Sequence, residues 1–327
     1  MPFTPRPTKR ALVAHTGCNT AEDLLHNISL RGPALRQQLR PRSWIFRGQG
    51  LEWPLLPTAF RNDARLRDLS GKWHTAGDWS HHQQIEHEIA TLAEFFWLAD
   101  TTGLRIPEDC QRLRDYFAEL RETPFGRIAD QYYSTWPVRE VLSLLALGQA
   151  LRHSDARLLD WSYSALVAAY FAASKAVVEA EADPANAKSK NLVIWALLVP
   201  AVRLEGLDSG VHAREKTVRI VTAPPSDNDN LRAQQGVFTL VTSVKVDLAK
   251  KLVRQPLDDE LNDIWQVVGG PPFHPLNRFT LPISEAKELI WMLAREGVTA
   301  ASVFPGFGGV AKALEEQRFW PGIRTIV

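Results

Sequence analysis

Ser43-Trp44-Ile45-Phe46-Arg47-Gly48-Gln49-Gly50 is the stretch that decides how this chain is read. Trp44, Ile45 and Phe46 are strand formers, and Gly48 and Gly50 break the run they begin. An arginine closing an apolar strand is poorly explained by packing alone. Its planar fork suits a phosphate or a carboxylate, and glycine at position 48 would let a ligand approach the backbone closely. A buried ion pair between Arg47 and a carboxylate such as Asp160 fits the same local pattern equally well.

Outward from this strand, the Pro-bounded residues 53–60 read as irregular chain. A helical region follows from about Gln83 to Leu151. Ile85, Ile89, Leu92, Phe96 and Ala99 recur at helical spacing, Gly103 closes that helix, and a second helix covers about Val138 to Leu151. Residues 157–162, Arg-Leu-Leu-Asp-Trp-Ser, read as a short strand or turn, with Ser164 as the cap of the next helix. Asp160 lies between Leu159 and Trp161. A carboxylate in so apolar a stretch needs a charge partner or several donors. Ser162 is either a ligand hydroxyl or part of an ordinary turn that starts a helix.

The continuous apolar run at 192–200 has the length of a strand buried on both faces. Further strands are predicted near 218–221, 236–246 and 277–283. A helix over 284–297 should be capped by Ser284 and ended by Gly297, and a last helix should cover about 309–317. Gln234 and Gln235 stand just before the strand at 236. Their amides suit a ligand's hydroxyls or amides, although polar residues in that place also serve plain turns. Strands concentrate in the second half, and the long helices fall between the first strand and the rest. The prediction is one α+β domain whose sheet pairs distant strands around a helical insertion. There is no G-x-G-x-x-G and no Walker lysine, so a Rossmann or P-loop fold is not indicated.

Composition narrows the function classes. The 327 residues are 45% hydrophobic and 23% charged, an ordinary globular balance. With 38 Lys+Arg against 37 Asp+Glu, the chain lacks the basic excess of a nucleic-acid binder. Cys18 and Cys110 form neither a disulfide framework nor a metal spacing. No apolar segment approaches the ~18 residues of a membrane span, and the start does not resemble a secretory signal, so the cytoplasm is the expected compartment. Residues 81–88, with His81, His82, Glu86 and His87, lack the H-E-x-x-H order, and no metal is expected. The 11 tryptophans, among them Trp44, Trp53, Trp161, Trp195 and Trp291, are core residues or a stacking surface.

Three ordered segments together resemble the FRG domain family, named for a Phe-Arg-Gly element that is matched by Phe46-Arg47-Gly48. Gln49 and the Leu-x-Pro-small-aromatic-Arg stretch at Leu55–Arg61 continue the first motif. Residues 148–172 resemble the second, residues 231–240 the third, and residues 303–314 the closing segment. The resemblance covers about Trp44 to Leu314. It implies a division into an N-terminal extension (1–40) and an FRG-type α+β domain (41–327), of which 62–150 is a largely helical insertion. One departure stands out. The family's Gln-His-(His/Tyr)-Gly is replaced here by Gln149-Ala150-Leu151-Arg152, with His153 displaced.

The motif order in turn resembles that of ADP-ribosyltransferases, which implies a mixed or antiparallel sheet of that kind and NAD as the cofactor. On that likeness the catalytic residues would be Arg47, Asp160, Ser162 and Gln235. Arg47, Gly48, Gln49, Trp161 and Gln234 would bind the cofactor: Arg47 would grip the dinucleotide, Ser162 the nicotinamide ribose region, and Trp161 would stack on nicotinamide. The third motif has no glutamate, and Asp160 would supply the carboxylate that positive charge developing on the ribose carbon calls for. The implied role is an NAD-using effector in a toxin or phage-defence setting, acting on an unknown macromolecular target. The alternatives are a non-catalytic nucleotide- or phosphate-binding module and a protein-interaction domain with a tryptophan surface.

Overall fold

The computed structural model describes residues 13–36, 40–61, 65–67, 73–75, 79–122, 136–150, 157–187, 189–202, 216–243, 254–268 and 274–320. Its strands are β1 (Val13–Gly17), β2 (Trp44–Gln49), β3 (Arg65–Arg67), β4 (Trp73–Thr75), β5 (Leu159–Ser162), β6 (Asn191–Leu198), β7 (Lys216–Val221), β8 (Gly236–Ser243) and β9 (Leu276–Pro282). Seven of them form one sheet in the order β1-β9-β6-β2-β5-β8-β7, while β3 and β4 pair as a separate ribbon. β1 runs parallel to β9, and the other neighbours are antiparallel. The protein is therefore α+β with a mixed sheet. The apolar run at 192–200 supplies β6, which sits inside the sheet and is buried from Leu192 to Leu198. Sequence alone sets residues 1–40 apart. In the structure β1 nonetheless forms an edge of the sheet, and the helix α1 (Ala21–Ile28) buries Ala21, Leu24 and Ile28 in the same core.

The remaining principal helices are α2 (His81–Thr101), α3 (Gln111–Glu122), α4 (Leu142–Ala150), α5 (Ala165–Ala182), α6 (Leu257–Val268), α7 (Ala286–Arg295) and α8 (Phe307–Glu316). Ser80 opens α2 with a capping box to Gln83, and Ser164 caps α5 by accepting from the Val167 amide. Ser284 does not cap α7. It lies inside a 3-10 turn, Ile283–Glu285, which feeds straight into the helix, so its hydroxyl has no orphan amide to serve. Gly297 ends that helix with φ +78, a left-handed position suited to glycine.

The pleat sends alternate side chains to opposite faces. On one face Trp44 and Phe46 join α1, α5 and α7 in a core with Ile194 and Phe279. Farther along that face Phe238 and Leu240 of β8 pack under α2, α3 and α4. The opposite face carries Ile45, Trp161, Val193 and Trp195, covered by Leu257 and Leu261 of α6. Two groups of helices thus stand side by side on one face, and a cleft opens between them over β2 and β5.

Gly48 explains how α5 lies so near the sheet. A Cβ added there would come 1.8 Å from the Ala168 carbonyl oxygen and 2.8 Å from the Ala172 amide nitrogen, and one at Gly50 would come 2.8 Å from the Ala176 nitrogen. The alanines of α5 complete the fit, with Ala168, Ala169, Ala172, Ala173 and Ala176 all buried. The expectation that Gly48 leaves room for a ligand is therefore corrected: that space is filled by the α5 backbone.

Candidate functional site

β2 and β5 pair at a single register point, Phe46↔Ser162, although all four residues of β5 pair with β8. Where the pairing stops, Arg47 takes over. Its Nη1 donates to the Asp160 backbone carbonyl at 2.8 Å and meets Asp160 Oδ1 at 2.6 Å. A guanidinium thus stands in for the missing ladder donor and forms an ion pair as well. Arg47 is only 9% exposed, and its buried Nε has no hydrogen-bond partner among the described residues.

Asp160 corrects the picture of a buried carboxylate. Its side chain is 62% exposed, opening into the cleft, because it points away from the Leu159 and Trp161 face. The surrounding protein mass raises its pKa. The Arg47 charge and hydrogen bond, the residue's own backbone amide and a weaker pull from Arg61 outweigh that and hold it below the usual carboxylate value.

The cleft has a volume of about 580 Å³. Arg47, Gly48, Gln49, Asp160, Trp161, Ser162 and Gln234 all line it, so residues 113 or more positions apart in the chain are brought to one place. Gln235 is not among its walls. It is exposed with φ +49, and its carbonyl accepts from the Tyr163 amide at 3.0 Å. Arg61, Lys175 and Lys312 are further walls, as are the aromatic residues Trp53, Phe171 and Phe304. Four cationic side chains therefore face one carboxylate among the described lining residues, which makes the cleft electropositive.

Several of the candidate residues are committed to the fold. The Ser162 hydroxyl donates to the Gln234 carbonyl at 2.7 Å and accepts from the Ser164 amide at 2.9 Å, so it ties β5 to the turn before β8. Gln49 Oε1 accepts the Trp195 indole N–H at 2.9 Å, and the Gln234 amide donates to the Val303 carbonyl at 3.3 Å. Trp161 is 4% exposed and donates its indole N–H to Thr239, so the ring is embedded in the core and offers no broad face for stacking. Trp53, by contrast, is 40% exposed at the cleft.

A feature that sequence reasoning missed supports the site from behind. Buried Glu88 of α2 accepts from Arg157 Nε at 2.7 Å, from the Trp136 indole at 2.8 Å and from Gln84 Nε2 at 2.9 Å. The Arg157 guanidinium also lies 5.8 Å from the centre of the Phe60 ring. Phe60 of the first motif thus meets Arg157 of the second, and the Arg61 charge reaches Asp160. The signal was the buried-face position of Glu88 at i+3 from Ile85 and i+4 from Gln84, where a carboxylate must have partners.

These contacts join segments whose order in the chain resembles one family, and the comparison with family models agrees. Residues 42–181 match the model of the FRG domain. An FRG domain is identified within the chain, over fewer than half of its residues. The match takes in β2, the Phe60-Arg61 pair, α2 to α4, β5 and nearly all of α5, which are the first two motifs; residues 231–240 and 303–314 lie beyond it. No curated protein and no solved structure matches the chain. Of the altered segment after Gln149, Leu151, Arg152 and His153 fall outside the described residues.

No group of three His, Cys, Asp or Glu among the described residues is placed to hold a metal ion. His82 pairs with Glu86 at 3.3 Å, and His87 packs edge-on to Trp79. Both cysteines are free, and burial with Asp23 nearby pushes the Cys18 thiol up to about 11. No described helix is long and apolar enough to cross a membrane.

Proposed function

We propose that the FRG domain binds a phosphate-bearing nucleotide, with NAD as the leading candidate, in the cleft between β2 and β5. The observation that carries this reading is Arg47, nearly buried, with an unpartnered Nε, in a cleft whose walls bring four cations against one carboxylate. A guanidinium held on one edge by Asp160 keeps donors for an incoming anion, and the protein wall strengthens the attraction. Trp53, Phe171 and Phe304 provide apolar surface for a base. Calorimetric titration with NAD, ADP and ATP tests the proposal. Arg47→Ala should weaken binding by about ten- to a hundredfold, the usual worth of a charged hydrogen bond. If none of these nucleotides binds the wild-type protein, the proposal is wrong.

One observation favours a transferase over a pure binding module: the ionised, exposed carboxylate of Asp160 stands in the cleft. Bound NAD would supply an ADP-ribosyl group, its bond to nicotinamide breaking as an acceptor nucleophile takes the ribose carbon and gives up its proton. Asp160 would place negative charge where the reacting sugar becomes cationic. On this reading Asp160→Asn leaves NAD affinity within about threefold, since one charge near the surface contributes modestly to binding. It removes nicotinamide release. Wild-type protein that binds NAD and releases no nicotinamide with any acceptor would leave the binding module as the answer. A toxin or phage-defence role is tested by whether expression arrests growth only when Arg47 is intact.

A further inference from the structure

We infer that the cleft has a separate outer seat for adenine, formed by Trp53 and Val178, while its inner end beside Asp160 takes the nicotinamide ribose. The inference rests on the proposed nucleotide site and goes beyond it by saying which way round the dinucleotide lies. Few large apolar side chains of the described residues are exposed, and two of them line the cleft: Trp53, and Val178 at 57%. Their place in it follows from how β2 and α5 run. A Cβ at Gly48 would meet Ala168 and Ala172, and one at Gly50 would meet Lys175 and Ala176. Strand and helix therefore advance in the same direction, away from Arg47 and its partner Asp160. The chain keeps that course beyond β2: Glu52 accepts from Asn191, which lies past the register pair Gln49↔Val193. Trp53 comes next, and Val178 is half a turn beyond Ala176, so both stand at the end away from Asp160.

From Ala168 to Val178, α5 extends about 15 Å along the cleft, at ~1.5 Å per residue. Lys175 lies between those ends, and its surface link to Glu179, at 3.4 Å, is a weak one that a phosphate can replace. Phosphates held between Arg47 and Lys175 leave a sugar at the Asp160 end and a base at the Trp53 end. An indole offers the broad π-face on which a base stacks. The other aromatic rings of the cleft are less free. Phe304 has Phe171 edge-on at 5.7 Å and the Lys312 ammonium 5.0 Å from its ring centre, and Trp161 is embedded in the core. Trp53 is also held in place. Its amide donates to the Leu51 carbonyl at 2.9 Å, Pro54 follows it, and the fully buried Leu55 accepts from the Leu257 amide at 2.9 Å. A ring fixed in advance loses little entropy when a base stacks on it.

The test titrates the full chain with inorganic pyrophosphate, nicotinamide mononucleotide, ADP and NAD by calorimetry, as wild type, Trp53→Ala and Trp53→Phe. Trp53→Ala should weaken ADP and NAD about five- to fiftyfold, the worth of one stacked base, and leave pyrophosphate and nicotinamide mononucleotide within about twofold. Trp53→Phe, which keeps an aromatic face, should recover most of the loss. If Trp53→Ala weakens nicotinamide mononucleotide and spares ADP, the dinucleotide lies the other way round and the inference is overturned. Equal loss for all four ligands, or loss for none, overturns it as well, while the nucleotide site stands. Failure of all four to bind wild-type protein overturns the site and this inference with it. Thermal melting of both variants alongside keeps a folding defect from passing as a binding one.

Discussion

Gly48→Ala is expected to destabilise the protein by at least about 3 kcal/mol, at or beyond the upper end for overpacking, and to lower its yield as folded material. The new methyl would stand 1.8 Å from the Ala168 carbonyl oxygen and 2.8 Å from the Ala168 carbon and the Ala172 nitrogen. All three are backbone atoms in the middle of α5, so no rotamer change relieves the contact. The helix itself must lift from β2, and it carries Phe171 and Lys175 of the cleft wall with it. Gly236→Ala is the fitting control. Its Cβ would meet the Leu231 Cδ1 atom at 2.4 Å, the far end of a flexible side chain, with nothing else nearer than 3.5 Å. Urea unfolding of both variants should show Gly48→Ala losing several times the stability that Gly236→Ala loses. A Gly48→Ala protein within 1 kcal/mol of wild type would mean that α5 and β2 are not in close contact. The result bears on function as well: loss of activity in a Gly48 variant would report on packing, and only Arg47 variants speak for the ligand.

The strands were legible because their signals are local. The apolar run of β6 and the alternation in β8 need no knowledge of what they pair with. Ser80 and Ser164 act as caps for the same reason. What could not be read was partnership. Val13–Gly17 is short and partly polar, and its place in the sheet depends on β9, some 260 residues later. The glycine of the Phe-Arg-Gly element suggests an approaching ligand in sequence, but the Ala-rich face that fills its space is itself 120 residues away. Of the two readings of Arg47, the ion pair is present and the ligand contact belongs to the proposal. Arg47 pairs with Asp160, and its buried Nε has no hydrogen-bond partner among the described residues. Of the two glutamines before β8, Gln234 lines the cleft and Gln235 does not. Their backbone carbonyls hold Ser162 and Tyr163, and a carbonyl leaves no mark in a sequence.

Glu88→Ala should cost about 3–5 kcal/mol, because it strands a buried cation. Arg157 is 10% exposed, and Glu88 is its carboxylate partner at 2.7 Å, 2% exposed itself. Arg157 Nη2 already has no hydrogen-bond partner among the described residues, so removing Glu88 leaves the guanidinium with little besides the Phe60 ring. The indole of Trp136 and the amide of Gln84 lose their acceptor in the same step. The damage should be relieved by removing the charge as well. A double variant, Glu88→Leu with Arg157→Leu, should recover at least half of the lost stability, since an apolar pair in place of a buried ion pair is often neutral. Urea unfolding of Glu88→Leu, Arg157→Leu and the double variant closes the cycle. If the double variant is as unstable as the sum of the singles, the contact is not the source of the loss. The functional consequence follows from position. Arg157 lies two residues before β5, and three before Asp160. The Glu88–Arg157 pair is therefore what fastens the helical insertion, with Gln149 at its end, to the strand that carries the cleft's carboxylate. Single variants at either end should therefore disturb the cleft wall at Gln149 while Arg47, anchored in the sheet, stays in place.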